Sequence, residues 1–289
     1  MRLGDKEISK MRKIDKIFYD ELTWPEVKEI VSQQWVPLLP VGSVGAHGPH
    51  APLKTDCVGP LEVCRLAANL VQGEAIVLPP VNYGFEGFHT NFPGTISITE
   101  QNLIGYVADV LFSLAHHGFK KIVIVNGHGG NPPFLNLAMR RLNLKMYPKT
   151  VACVITWWDL IPQEDLNRLS ESEFGGMRHA GELETSIMLH TDPDVVQMDK
   201  AVKELWDGDL RCSGETTAGM SRAGGTPVGP AMYVGWMGGR GGHDSGIMGD
   251  PTVATAEKGR KWLTIAAENL AQFILDWKEM PIHPPVDHH

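Results

Sequence analysis

The sequence predicts an α/β protein built on a mostly parallel sheet, and three observations predict it. Strand-like and helix-like segments alternate along most of the chain, as in layered α/β architectures. The run Lys121-Ile122-Val123-Ile124-Val125-Asn126 is nearly all β-branched, the pattern of a strand buried on both faces. Two Gly-rich turns carrying histidines, Gly45-Ala46-His47-Gly48 and Gly127-His128-Gly129, each follow such a run. Open parallel sheets place their sites in loops of this kind, beyond the carboxyl ends of strands.

Taken in order, Thr23-Trp24-Pro25-Glu26 reads as a capping box with an early proline, opening a helix through Val31. Val36 to Val41 is a buried strand whose two prolines, Pro37 and Pro40, suggest an edge or an irregular ladder. Val58 to Val71 is a helix and Ala75 to Leu78 a short strand. Thr99 caps a helix that runs to His117, with Gly118 as its C′ residue. After the central strand come a helix over Pro132 to Leu144 and a strand over Val151 to Trp157. A helix spans Ala180 to His190, and a long amphipathic one spans Pro251 to Trp277. Ser213 to Asp250 breaks this rhythm: it is Gly-rich and aperiodic, as functional lids and loops are. With no internal repeat or linker-like stretch, the 289 residues are expected to form a single domain.

Composition excludes several function classes. Apolar content of 43% with 21% charged residues is that of a soluble globular protein. A net charge of -8 and no basic stretch argue against a nucleic-acid partner. No apolar run is long enough for a membrane span, and the N-terminus lacks a signal-peptide h-region. Cys57, Cys64, Cys153 and Cys212 form no C-x-x-C pair and read as free thiols, so a reducing cytoplasm is the expected location.

The chemistry concentrates in three clusters. His47 and His128 follow strands, and Asp56 lies just before a helix from which it can turn back to the same point. The third cluster is Arg178-His179-Ala180-Gly181-Glu182-Leu183-Glu184. If it opens a helix, His179 and Glu182 share a face as i and i+3. Glu184 is then rotated from Glu182 by about 200°, so one glutamate can meet a metal while the other faces elsewhere. His-plus-carboxylate ligation suits Zn²⁺, Mn²⁺ or Fe²⁺. His89, in a loop of aromatic and polar residues, Arg178 beside His179, and His243 in the lid-like segment are candidate substrate contacts.

Together the clusters resemble the creatininase (creatinine amidohydrolase) family. Its members carry G-S-x-E-x-H-G-P-H-x-P-x-x-T-D, a later N-G-H after a strand, and H-A-G-x-x-E-T-S. These stand here as Gly42 to Asp56, Asn126 to Asn131 and His179 to Ser186, in the same order. The resemblance covers roughly residues 20 to 275. It implies a three-layer α/β/α domain, a divalent-metal centre and a homo-oligomer, usually a hexamer. It also implies hydrolysis of C–N bonds in small cyclic or formylated amides. By position His47, Asp56 and His128 match family ligands, with Asp56 bridging, and His179 matches the proton-transfer histidine. Creatinine-opening enzymes take a further carboxylate from the N-G-H segment, which here is Gly129-Gly130. Glu182 is the expected substitute, as ligand and as a catalytic residue beside His179. Trp157 or Trp158 stands where a tryptophan covers the substrate ring.

One position departs from the family pattern. Gly45 stands where the family has a metal-binding glutamate. The leading expectation is therefore one ion per chain rather than two, held by His47, Asp56 and Glu182, with or without His128. Alternatively His50, His89 or Glu86 fills in for a second ion. The leading function is a metal-dependent hydrolase opening a small cyclic amide. The alternatives are a C–C hydrolase opening a cyclic diketone derived from an inositol, and a metal- or ligand-binding relative without turnover.

Overall fold

The computed structural model describes residues 14–205, 244–284 and 286. His243 and most of the aperiodic 213–250 segment lie outside the described residues. At the centre is a parallel four-stranded sheet in the order β2-β1-β3-β4. Its strands are β1 (Val36–Val41), β2 (Ala75–Val77), β3 (Lys121–Asn126) and β4 (Val151–Thr156).

Alternate residues of the two central strands feed two separate cores, the period-2 consequence of the pleat. On one face Val36, Leu38, Val123 and Val125 pack with Val63 and Ala67 of α2 (Thr55–Leu70), Leu183 and Ile187 of α6 (Glu182–Thr191) and Trp262 and Leu270 of α7 (Ala256–Glu279). On the other, Leu39, Val41, Ile122 and Ile124 meet Ile30 of α1 (Trp24–Ser32), Leu103 and Leu111 of α3 (Glu100–His117) and Leu135 and Leu142 of α4 (Pro132–Met146). Each such side chain contributes about 1.5–3 kcal/mol through burial. The result is a three-layer α/β/α arrangement; the short α5 (Gln163–Leu169) follows β4. None of the described helices is long and apolar enough to cross a membrane.

Local signals explain most boundaries. Glu26 accepts from the Thr23 backbone N–H, closing the capping box of α1. The Thr99 side chain accepts from Asn102 N–H to start α3, and Gly118 at φ 100° ends it. Pro251 lies in a separate short turn, Pro251–Val253, and α7 starts only after its Thr255 cap.

The prolines of β1 do not mark an edge; β1 is central. It pairs with β2 only as far as Leu38↔Val77 and with β3 only from Leu38↔Val123 onward. Val36 and Gly42 send their N–H groups toward the β2 side, and Pro40 shares that parity. Each missing donor thus falls where its side of the ladder is open: Pro37 before β3 begins to pair, and Pro40 in the gap between Leu38↔Val77 and the isolated bridge Val41↔Val81.

Two further boundaries differ from expectation and both matter for the site. Helix α2 begins at Thr55, which puts Asp56 in its first turn. Helix α6 begins at Glu182, because Ala180 has φ 54° and interrupts the helical path before it.

Candidate metal centre

The carboxyl ends of β1 and β3 lie side by side, and the first turn of α2 comes down between them. Gly42 and Gly127 make that approach possible. A Cβ at either would lie 2.7 or 2.2 Å from the Asp56 carbonyl oxygen. Asp56 is buried, and its carboxylate benefits from the positive end of α2.

The two carboxylate oxygens of Asp56 are divided between two histidines. Oδ1 lies 3.0 Å from His47 Nε2, and Oδ2 lies 2.7 Å from His128 Nδ1. His47 Nδ1–H donates to the Gly45 carbonyl at 3.0 Å, which leaves Nε2 as the ligating atom. His128 is set by Asn126, whose amide accepts from His128 N–H and donates to its carbonyl at 3.1 and 2.9 Å. The N-G-H spelling thus has a mechanical basis: the asparagine closes the turn and the glycine clears α2.

Two further carboxylates complete the cluster. Glu184, half-buried in the first turn of α6, lies 3.6 Å from His47 Nε2 and accepts from Ala180 N–H at 2.6 Å. Glu86, fully buried in the loop after β2, lies 3.0 Å from His128 Nε2 and accepts from the Ser43 hydroxyl at 2.6 Å. Donor atoms of His47, His179 and Glu184 lie within 4.8 Å of one another, as do those of Asp56, Glu86 and His128. His179 Nε2–H donates to the Ala46 carbonyl at 2.9 Å, so Nδ1 carries its lone pair. Its ring stacks on His89 at 4.1 Å and tilts against His47 at 4.3 Å.

The electrostatics fit a cation. Burial favours a neutral His47, but the Asp56 carboxylate outweighs it and pushes the ring up to about 9. His128 is likewise pushed up to about 10, against its burial, by Asp56 and Glu86. Burial raises Glu184 to about 7. His179 goes the other way: burial, with His47 and His89 close by, holds it well below the usual imidazole range. Three carboxylates thus face imidazoles, a hydroxyl and a backbone N–H, a hard and borderline donor set suited to Zn²⁺, Mn²⁺ or Fe²⁺.

The structure brings His47, Asp56, His128, His179 and His89 into this cluster. It does not bring Glu182. That carboxylate points to the opposite side of α6, where it accepts from Ser170 Oγ at 2.6 Å, Glu171 N at 2.9 Å and Ser172 N at 3.1 Å. Lys258 Nζ adds an ion pair at 2.7 Å. Because α6 starts at Glu182, His179 is not one helical turn below it, and the residue rotated by about 200°, Glu184, faces the histidines. Trp157 is buried in the core beneath α2, where its indole would meet a Cβ on Gly59 at 2.7 Å. Trp158 is half-buried against the same core. Arg178 is half-buried next to His179, and its carbonyl accepts from Gly181 N–H.

A carboxylate at the ends of two parallel strands, shared by two histidines, defines an α/β protein with a candidate metal centre. The chain belongs to the creatininase family: the family model, described as creatinine amidohydrolase, matches residues 20–274. Similar relatives include the creatinine amidohydrolase of Pseudomonas putida, 33% identical over 64% of this chain and 76% of that one. The mycofactocin precursor peptide peptidase of Mycobacterium ulcerans is 31% identical over 90% and 88%. A 3-dehydro-scyllo-inosose hydrolase of Thermotoga maritima is 25% identical over 91% and 84%. Among solved structures, a mutant creatininase of Zn-Zn type superposes with TM-score 0.73 at 28% identity, covering 91% of this chain and 99% of that chain. A manganese creatininase gives 0.74 at 27% identity, with 91% and 99% covered.

Proposed function

We propose that this protein is a metal-dependent hydrolase that cleaves a C–N bond at the carbonyl of a small substrate, a cyclic amide being the leading class. The observation that carries this is the division of Asp56 between His47 and His128 at 3.0 and 2.7 Å, with the His179 ring tilted against His47. His47, Asp56 and Glu184 are the residues that would hold an ion, with His128 on the second oxygen of Asp56. Such an ion, when bound, polarises the carbonyl and acidifies water.

The chain's own groups supply the proton movements. His179 is uncharged at neutral pH, and Nδ1 is its basic atom. It takes a proton from the attacking water and returns it to the leaving nitrogen, as general base and then general acid. The C–N bond breaks, and the hydroxyl stays on the former carbonyl carbon. The Ala46 carbonyl, by accepting from Nε2–H, keeps the ring turned for this exchange. His89, stacked on the far face of His179, limits the space left for substrate.

Similarity to a creatinine amidohydrolase and to a peptide peptidase supports C–N chemistry. Similarity to the inosose hydrolase favours C–C cleavage of a cyclic polyol diketone as the second reading. Cyclic amides, short peptides and a cyclic polyol diketone should be offered to the protein after chelator treatment and again after adding Zn²⁺ or Mn²⁺. Metal-restored turnover of an amide is expected. Turnover that survives chelation would sink the metal-dependent mechanism, and turnover of the diketone alone would favour the second reading.

A further inference from the structure

The volume beside Gly45 is already occupied. A Cβ built on Gly45 would lie 2.7 Å from Glu86 Cδ and 2.9 Å from Glu86 Oε2. The Glu86 carboxylate therefore sits where a side chain at position 45 would begin. A second glycine interlocks with the same loop: a Cβ on Gly130 would lie 2.6 Å from both the Phe85 carbonyl oxygen and His128 Nε2. One loop, entering from the end of β2, thus fills the space left open by two side-chain-free positions in the other two motifs.

That loop is fastened on several sides. The Asn131 side chain, fully buried, accepts from Phe85 N–H at 2.9 Å and donates to the Gly42 carbonyl at 3.0 Å. Glu86 N–H donates to the Ser97 hydroxyl at 2.9 Å. On the carboxylate itself, Oε1 bonds His89 Nδ1, while Oε2 accepts from Ser43 Oγ at 2.6 Å and lies 3.0 Å from His128 Nε2. Placing a carboxylate in full burial is costly unless it is paired or coordinates a cation. The fastening aims this one at the side of Asp56 away from His47.

We infer that Glu86 is the carboxylate ligand of a second divalent cation, bound between Asp56 Oδ2 and His128, and that Gly45 is glycine because Glu86 has taken its place. This deepens the metal-dependent hydrolase reading and rests on it. Gly45 and Glu86 are a matched pair: a carboxylate can stand at either position, and not at both.

Zn²⁺ stoichiometry and affinity, measured by competition with a chromophoric chelator, test the inference independently of turnover. The intact protein is expected to take two equivalents. Glu86→Gln, which keeps the shape of the side chain, should lose one of them or bind it at least about 100-fold more weakly, beyond the usual cost of an altered supporting contact. Gly45→Glu alone should lower the melting temperature through its collision with Glu86. Gly45→Glu/Glu86→Ser should recover both stability and the second equivalent. If Glu86→Gln does not fold, anomalous scattering from Zn²⁺-loaded crystals of the unmodified protein decides, with Glu86 Oε expected at about 2.0–2.2 Å from an ion. Two equivalents bound unchanged by Glu86→Gln, one equivalent in the intact protein, or Glu86 oxygens out of ligand range would each overturn the inference. Zn²⁺ bound by neither form would instead overturn the metal-dependent reading beneath it.

Discussion

Glu182 and Glu184 leave the same turn of α6 and enter opposite surroundings. Glu182 is completed by a fixed ammonium, two backbone N–H groups and a hydroxyl, so its burial is balanced within the protein. Burial works to raise its carboxyl, but the hydrogen bonds from Lys258, Ser170, Glu171 and Ser172 outweigh it and hold the group below the usual range. Glu184 faces a histidine and one backbone N–H, beside a second buried carboxylate, and is raised to about 7. A buried carboxylate answered by fixed donors ties helices together. One answered by imidazoles, whose charge depends on a proton, is poised to take a cation.

The largest effect should come from removing the shared group of the centre. Asp56→Asn is expected to reduce kcat/KM by at least about 1000-fold, which is ~4 kcal/mol of lost transition-state stabilisation. The fold should persist, because Asn keeps the volume between His47 and His128. Steady-state kinetics alongside thermal unfolding would check this, and near-normal turnover would remove Asp56 from the mechanism.

The next largest effect should come from the other side of α6. Among the described residues, Glu182→Ala leaves Lys258 buried with only an exposed partner, Glu171, and the Val253 carbonyl. Breaking a buried pair from one side costs about 3–5 kcal/mol. Glu182→Ala/Lys258→Met should regain part of that, and Zn²⁺ content per folded chain should match the unmodified protein in both variants. Denaturant titration and metal analysis separate the two quantities. Loss of metal without loss of stability would reverse the roles assigned to Glu182 and Glu184.

The smallest effect, and the sharpest contrast, is in pH dependence. His47 and His128 are raised from 6.5 to about 9 and about 10. Their contribution is complete below about pH 6.5 and is lost as pH rises through those values. Glu182 is lowered from 4.5, so its contribution is present above that pH and is lost only as pH falls through its folded value. Metal-stripped protein should therefore melt at progressively lower temperature between pH 7 and pH 10, and Glu182→Gln should show the same alkaline slope. A flat profile in stripped protein would contradict the histidine–carboxylate pairing.

Much of this was legible from short-range pattern. The capping box at Thr23, the caps at Thr99 and Gly118, and the β-branched run over Lys121–Asn126 are local signals with local causes. Motif spelling likewise pointed to His47, Asp56, His128 and His179. Failures arose where the deciding contact was remote. The prolines of β1 suggested an edge or an irregular ladder, and only the ladder reading holds, because their tolerance depends on how far each neighbouring strand extends. Glu182 looked like a ligand because it matched the histidine at i+3, a match that holds only if the helix already includes His179.

Alternation of apolar residues and turn chemistry settle the layers, the strands and the loops that bear chemistry, because burial and backbone geometry act over a few residues. Which carboxylates enter those loops is settled by packing. Ala180 at φ 54° sets the phase of α6 and so exchanges Glu182 for Glu184. The loop carrying Glu86 reaches the volume beside Gly45 only once β1, β2 and β3 are aligned. A glycine in a motif records that a side chain is absent; what occupies the space is decided by a neighbour distant in sequence.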